Sequence, residues 1–83
     1  MRYTVVWHPA ARNDLTDIWI QAADRQAVAD AADEMDRLLR FSPDRLGVDY
    51  GPDRYLEVDP LAVTFAIRAP DCLVEVLTVQ RRS

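Results

Sequence analysis

The sequence has one cysteine, one histidine and no lysine among its 83 residues. A single cysteine cannot form an intrachain disulfide, and together with a single histidine it cannot supply the ligands of the familiar zinc patterns. No apolar run approaches the roughly 20 residues that a membrane span needs, and the N-terminus lacks the charged and apolar regions of a secretory signal. We therefore expect a cytoplasmic protein with no metal, no cofactor and no membrane contact.

The charge balance is acidic. Ten arginines stand against 14 aspartates and glutamates, which gives a formal net charge of −4. The electrostatic field of this negative charge is unfavourable for a protein that must bind the phosphate backbone of a nucleic acid. The hydrophobic fraction of 49% is sufficient for a folded domain. Because a short chain buries a smaller fraction of its surface, residues 1–83 are expected to form one domain whose core is efficient or is completed by a partner.

The stretch 54–80 reads as three strands joined by two proline turns, at 59–60 and 69–71. Proline fits the first central position of a type I turn, so we expect an antiparallel meander. Alternation along residues 61–68 places Val63 and Phe65 on a core face and small uncharged residues on the opposite face. The last strand, 73–79, is apolar on both faces and should lie inside the sheet. Cys72, which precedes it, is expected to be buried.

The N-terminal half predicts a short strand followed by two helices. Residues 2–7 alternate like a strand, and His8 is then a linker residue before a helix over 9–23. The apolar stripe changes phase near Asp24, a plausible N-cap, so a second helix is expected over 25–41. Residues 42–53 hold both glycines and two of the five prolines, which predicts an irregular connection. Within it, Arg45 and Tyr50 are either functional residues or part of a loop that only connects the second helix to the first strand of the meander.

The expected core follows from these periodicities. It comprises Val5, Trp7, Leu15, Ile18, Trp19, Met35, Leu38, Leu56, Val63, Phe65 and Ile67.

The order of these elements resembles the RelE/ParE superfamily of type II toxin–antitoxin toxins, often labelled plasmid-stabilisation proteins. The resemblance rests on Y-x-V-x-W-x-P-x-A-x-x-D-L-x-x-I over 3–18, the helix over 27–38 with Pro43 and Gly47 after it, Arg54-Tyr55-Leu56, and the strands PLAVTF and VEVLTVQRR. It covers nearly the whole chain. It implies an α+β fold, β-α-α-β-β-β, in which a helical hairpin lies on a mostly antiparallel four-stranded sheet.

The resemblance also implies function and site residues. The ParE-like branch acts by binding DNA gyrase and needs no catalytic set, and this is the reading we favour. The RelE-like branch is a ribosome-dependent mRNA endoribonuclease that uses basic residues on the sheet. Arg54, Arg81 and Arg82 match some of those positions and are the predicted anion-binding residues. Ala62 stands where the family has a middle-strand arginine, and no aromatic residue follows Arg82.

The residue types alone, without the resemblance, also leave a binding toxin and a ribonuclease open. Cleavage of RNA needs a base, an acid and charge stabilisation, and arginine stays protonated. Glu57 or Glu75 would have to be the base. An inactive toxin-like scaffold is a third reading. We also expect a cognate antitoxin, whose tail would cover part of the domain at the small residues Ala62, Thr64 and Ala66 or at the apolar side chains of the helical hairpin.

Overall fold

The computed structural model describes residues 2–82, so Met1 and Ser83, the two ends of the predicted domain, lie outside it. The strands are β1 (Thr4–Trp7), β2 (Val48–Tyr50), β3 (Asp53–Val58), β4 (Leu61–Arg68) and β5 (Leu73–Arg81), and the helices are α1 (Pro9–Gln21) and α2 (Arg25–Arg40). The strands form one sheet in the order β1-β5-β4-β3-β2. β1 runs parallel to β5, and every other pair is antiparallel. The predicted α+β class and the interior position of the last strand are confirmed.

The prediction of four strands is wrong by one, because β2 lies in the segment expected to be irregular. Val48 pairs with Tyr55 and Tyr50 with Asp53 across a two-residue turn. The strand signal of the segment was weak because β2 is only three residues long, VDY, and exposed along its whole length. An alternation over three residues between two glycines is too short to predict a strand. Gly47 precedes it with φ +68°, and a Cβ there would lie 2.1 Å from the Tyr55 carbonyl oxygen.

The predicted break between the helices is confirmed. His8 caps α1, since its Nδ1 accepts a hydrogen bond from the Ala10 N–H at 3.1 Å. Asp24 is the N-cap residue of α2, and its carbonyl accepts from the Val28 N–H at 3.2 Å. Its carboxylate makes no cap bond. The side chain of Asp24 therefore has another partner, described below.

The core lies between the helices and one face of the sheet, which we call the helix face. Of the predicted core residues, Met35, Val63 and Phe65 are fully buried, and most of the others are half-buried around them. The buried set also contains Ala11, Val28, Ala31, Leu39, Leu61, Val74, Val76 and Val79.

Trp19 is a correction to the predicted core, because it is 43% exposed. The buried line of α1 runs through Ala11, Leu15 and Ile18, at spacings of four and three residues. Trp19 is one residue further on and so points about 100° away from Ile18. The Arg25 guanidinium covers its ring instead, with 4.9 Å between the guanidinium carbon and the ring centroid.

Both proline turns differ from the expected form. The Asp59–Pro60 peptide is cis, and Pro60 is the second central residue of its turn, so this is not a type I turn with proline in the first central position. The second turn is a short 3₁₀ helix over Ala69–Asp71. It ends at Cys72, which has φ +49° and is half-buried rather than buried. Cys72 lies outside β5, so strand alternation does not direct its side chain to the core.

The sheet's second face carries no helix, and we call it the open face. Pairing register and alternation place these residues on it: Val48, Tyr50, Asp53, Tyr55, Glu57, Ala62, Thr64, Ala66, Arg68, Leu73, Glu75, Thr78, Gln80 and Arg82. Ala62 lies between its partners Glu57 and Gln80 and is only 1% exposed. The longer side chains on both sides cover its methyl group, so Ala62 does not offer the flat accessible surface that was expected.

Candidate functional site

Three polar side chains meet at one end of the open face. The Tyr55 hydroxyl donates to Glu57 Oε1 at 2.9 Å, and Arg82 Nη1 donates to the same hydroxyl oxygen at 3.2 Å. Arg82 Nη2 lies 3.7 Å from Glu57 Oε1. β3 positions Tyr55 and Glu57 two residues apart on one face. Arg82 is fixed beside them because its backbone N–H donates to the Pro60 carbonyl at 2.6 Å.

This arrangement keeps the Tyr55 phenol neutral. Burial raises the pKa of Tyr55, and its hydrogen bond to Glu57 raises it further because the bond favours the protonated hydroxyl. The positive charge of Arg82 acts in the opposite direction, and the net pKa shift is upward. The Tyr55 hydroxyl therefore keeps its proton at neutral pH and directs it to Glu57.

Arg81 lies on the helix face, because it pairs with the core residue Leu61. Its Nη2 is 3.0 Å from each carboxylate oxygen of Asp24. The hydrogen bond from Arg81 lowers the pKa of Asp24, and the same bond raises the pKa of Arg81. Arg81 thus connects the last strand to the residues between the two helices.

Arg54 also lies on the helix face, and its donors are directed at the chain before β2. Its Nε donates to the Leu46 carbonyl at 3.0 Å, its Nη2 to the Gly47 carbonyl at 3.3 Å, and its Nη1 to Asp49 Oδ1 at 2.7 Å. Each end of the guanidinium therefore has a partner within the chain. These bonds fix the connection that leads into β2.

The structure consequently does not bring the three predicted arginines together. Arg82 is on the open face, whereas Arg54 and Arg81 are on the helix face at separate places. Anion binding by these residues stays a prediction, and Arg82 is the one whose position suits a site on the open face.

A pocket on the open face was not found from the sequence. Its volume is about 310 Å³, and it is lined by Tyr50, Asp53, Tyr55, Ala62, Val63, Thr64, Thr78 and Gln80. The Tyr50 and Tyr55 rings are tilted by 35° with their centroids 5.9 Å apart. The hydroxyls of Thr64 and Thr78 are hydrogen-bonded at 2.6 Å. The missing signal was β2, because without that strand Tyr50 could not be placed beside Tyr55.

The arginines of the open face have carboxylate partners on the same face. Arg68 pairs with Glu75 at 2.8 Å, and Glu75 raises the pKa of Arg68 through this hydrogen bond and through its charge. Arg82 contacts Glu57 as described above. The open face thus presents no arginine without a carboxylate partner among residues 2–82.

The opposite side of the molecule carries an apolar groove between α1 and α2. Its volume is about 320 Å³, and it is lined by Leu15, Thr16, Trp19, Val28, Ala29, Ala32 and Asp33. Exposed Trp19 forms part of its wall, and Val28 lies at its base as a core residue. The groove is long enough along the helices to receive apolar side chains from another segment.

Residues 2–82 contain no group of three or more histidine, cysteine or acidic side chains arranged to hold a metal ion. Neither helix combines the length and the apolar character required to cross a membrane.

Known structures share this architecture, although no protein-family model and no curated protein matches the sequence. A chain of the RelBE2 toxin–antitoxin complex from Mycobacterium tuberculosis superposes with a TM-score of 0.78 and 19% identity, over 99% of this chain and 93% of that one. A chain of the chromosomal ParDE toxin–antitoxin system from P. aeruginosa gives 0.74 and 15%, over 99% and 98%. The isolated E. coli RelE toxin gives 0.62 and 8%, over 98% and 85%. The protein therefore has the fold of the RelE and ParE toxin–antitoxin proteins.

Proposed function

We propose that the protein is the toxin component of a type II toxin–antitoxin pair. It inhibits growth by binding a cellular protein, with DNA gyrase as the target that the resemblance to ParE implies, and a cognate antitoxin neutralises it. The shared fold with chains of the RelBE2 and ParDE systems, over nearly the whole chain, supports the toxin assignment.

The pairing of charges on the open face carries the choice of a protein target. Proteins that hold nucleic acid neutralise phosphates with available Lys and Arg side chains. Here Arg68 and Arg82 have Glu75 and Glu57 as partners, and the chain has a net charge of −4. A surface whose arginines are already paired with carboxylates suits a folded protein partner better than a phosphate backbone.

The groove between α1 and α2 is the proposed seat of the antitoxin. An amphipathic helix binds by laying apolar side chains into such a groove, and Trp19 offers a large aromatic contact at its wall. The groove lies on the other side of the molecule from the open face. Neutralisation would then require a further antitoxin segment on the open face, or an antitoxin large enough to block the target.

The second candidate function is an mRNA endoribonuclease of the RelE type. The Tyr55, Glu57 and Arg82 cluster favours it, because a neutral hydroxyl, a carboxylate and a guanidinium can act as acid, base and charge stabiliser. The partner contacts inside the cluster must then open when a phosphate binds.

Induction of the protein in a bacterial host tests the proposal. We expect growth to stop when the protein is expressed alone, and to continue when it is expressed with the small protein encoded next to it. The purified protein should inhibit supercoiling by DNA gyrase and should leave ribosome-bound mRNA intact. Cleavage of mRNA would support the second function, and normal growth would support the inactive scaffold.

A pair of neighbouring variants tests the antitoxin surface. Trp19 lines the groove, whereas Ile20 is 53% exposed and is not among the lining residues. Trp19→Glu should abolish co-purification with the antitoxin, because a charge would be buried at the interface. Ile20→Glu introduces the same charge beside the groove and should retain the complex. If the two variants co-purify with the antitoxin to the same extent, the antitoxin does not bind in this groove.

A further inference from the structure

We propose that the pocket on the open face binds the guanidinium of an arginine side chain presented by a protein partner. The inference deepens the proposed function and rests on it for the identity of the partner, the toxin's target. The chemistry of the pocket can be tested without that target.

The two tyrosines give the pocket an aromatic wall. Their ring centroids are 5.9 Å apart, and Tyr50 is 61% exposed. A guanidinium is attracted to an aromatic face within about 6 Å of the ring centroid, and a planar guanidinium also stacks on the ring. A volume of about 310 Å³ has room for an arginine side chain.

Asp53 gives the pocket a negative charge. It lines the pocket beside Tyr50, with which it pairs across the β2–β3 turn. Among residues 2–82 no arginine nitrogen lies within 4 Å of its carboxylate, whereas Glu57 and Glu75 each have an arginine partner. The carboxylates of the open face thus outnumber its arginines by one, and the extra carboxylate lies in the pocket.

The remaining lining groups suit a donor-rich ligand. The Gln80 amide oxygen and the hydroxyl oxygens of Thr64 and Thr78 accept hydrogen bonds. An arginine presents five N–H donors in a plane and no acceptor, so it can bond to Asp53 and stack on a tyrosine at the same time. The compact ammonium of lysine has no plane with which to stack. A phosphate would meet the Asp53 carboxylate without a free cation to offset it.

Two arginines of the chain lie near the pocket, and their charges are offset. Arg82 contacts the hydroxyl end of Tyr55 and is paired with Glu57. Arg68 forms an ion pair with Glu75 at 2.8 Å. The charge of Asp53 also raises the pKa of Arg68, although the two side chains are too far apart to form an ion pair. A guest guanidinium would therefore meet one net negative charge on this face.

Titration of the whole ¹⁵N-labelled chain with a capped glycine–arginine–glycine tripeptide tests the proposal by NMR. The control ligand is the same tripeptide with citrulline, which keeps the shape and removes the charge. We expect the arginine peptide to shift the amide signals of Tyr50, Asp53 and Tyr55, and the citrulline peptide to bind at least about tenfold more weakly, as for the loss of a charge-assisted bond.

Variants then assign the contacts. Asp53→Asn should weaken binding of the arginine peptide about tenfold, and Tyr50→Leu should weaken it severalfold. Asp14→Asn, an exposed aspartate of α1, should leave it unchanged. Each variant is compared by its amide spectrum, so that a loss of fold is recognised. If Asp53→Asn perturbs the fold, Tyr50→Leu and the citrulline control still show whether the pocket binds the guanidinium.

Equal binding of the two peptides, or binding that does not depend on Asp53 or Tyr50, would overturn the proposal. Inorganic phosphate is the opposing ligand: if it shifts these signals and the arginine peptide does not, the face is a phosphate site. The growth assay is independent. If the chain binds the arginine peptide but does not inhibit growth, the binding pocket is supported and the toxin assignment is contradicted. If it inhibits growth but does not bind the peptide, the toxin assignment is supported and the pocket is contradicted.

Discussion

Arg81 Nη2 lies 3.0 Å from both carboxylate oxygens of Asp24, so the last strand is joined directly to the residues between the two helices. Both side chains are partly exposed. The ion pair therefore contributes modestly to folding. It acts on orientation, because it connects the end of β5 to the point at which the helical hairpin turns.

The pair predicts a pH dependence of stability. The hydrogen bond from Arg81 lowers the pKa of Asp24 from its ordinary value of 3.8 in the folded state. The contribution of the Asp24–Arg81 pair to the free energy of unfolding is therefore fully present above pH 3.8. It is lost as the pH falls through the lower pKa that Asp24 has in the folded state. Asp24→Asn should lower the melting temperature at pH 7, and its difference from the parent chain should narrow below pH 3.8. Asp14→Asn, at an exposed position of α1, is the control. A difference that is constant with pH would contradict this role.

Phe65 should be among the most sensitive core positions. It is completely buried, and truncation of a buried phenylalanine costs about 3–5 kcal/mol. Phe65→Ala should therefore lower the free energy of unfolding in denaturant titration by that amount. Trp19→Ala removes a larger but exposed side chain and should cost roughly 1 kcal/mol. A loss below about 1 kcal/mol for Phe65→Ala would reverse the assignment of the two faces.

The two glycines provide a matched test of the connection before β3. Both have positive φ, +68° at Gly47 and +63° at Gly51, so alanine is strained at either position. Gly51 has open space around it, and Gly51→Ala should cost about 1–2 kcal/mol from strain alone. Gly47→Ala adds a clash with the Tyr55 carbonyl and should be clearly more destabilising. Similar unfolding midpoints for the two variants would contradict the close approach of β3 to Gly47.

Arg82 and Arg81 should separate function from folding. Arg82 is an exposed residue of the open face, so Arg82→Ala should leave the melting temperature nearly unchanged. If its guanidinium contacts the target, the same variant should relieve growth inhibition. Arg81→Ala should lower the melting temperature, because it leaves Asp24 without its partner. Full toxicity of Arg82→Ala would move the site to the Tyr50 and Asp53 end of the open face.

The sequence predicted the parts of the fold that burial marks clearly. The helical stripe around Ile18 and its phase change near Asp24 gave the two helices, because burial on one side imposes a period. The continuous apolar run of β5 gave an interior strand, because both of its faces are covered. β2 has no buried side, and its alternation spans only residues 48–50, too few to predict pairing. Trp19 was misplaced because a stripe read from hydrophobicity alone does not show which flank of a helix another side chain covers.

The candidate site was harder to predict for the same reason. The resemblance to the RelE/ParE superfamily pointed to Arg54, Arg81 and Arg82, but only pairing register shows that Arg82 and Tyr55 share a face. The pocket depends on Tyr50, whose position is fixed by a strand that hydrophobicity could not indicate. Its charge depends on which carboxylates have partners, and side-chain pairing is not encoded in local sequence.

The parallel pairing of β1 with β5 joins the two ends of the chain, from Thr4 opposite Leu73 to Trp7 opposite Val76. Because β5 lies between β1 and β4, the strand of this sheet that is synthesised after the other four is the one that connects β1 to the rest of the sheet. The nascent chain can form the β2–β3–β4 meander early, but its first strand has no neighbour until β5 leaves the ribosome. A chain that stops before Leu73 should therefore unfold without cooperativity, as circular dichroism of the truncated protein would show.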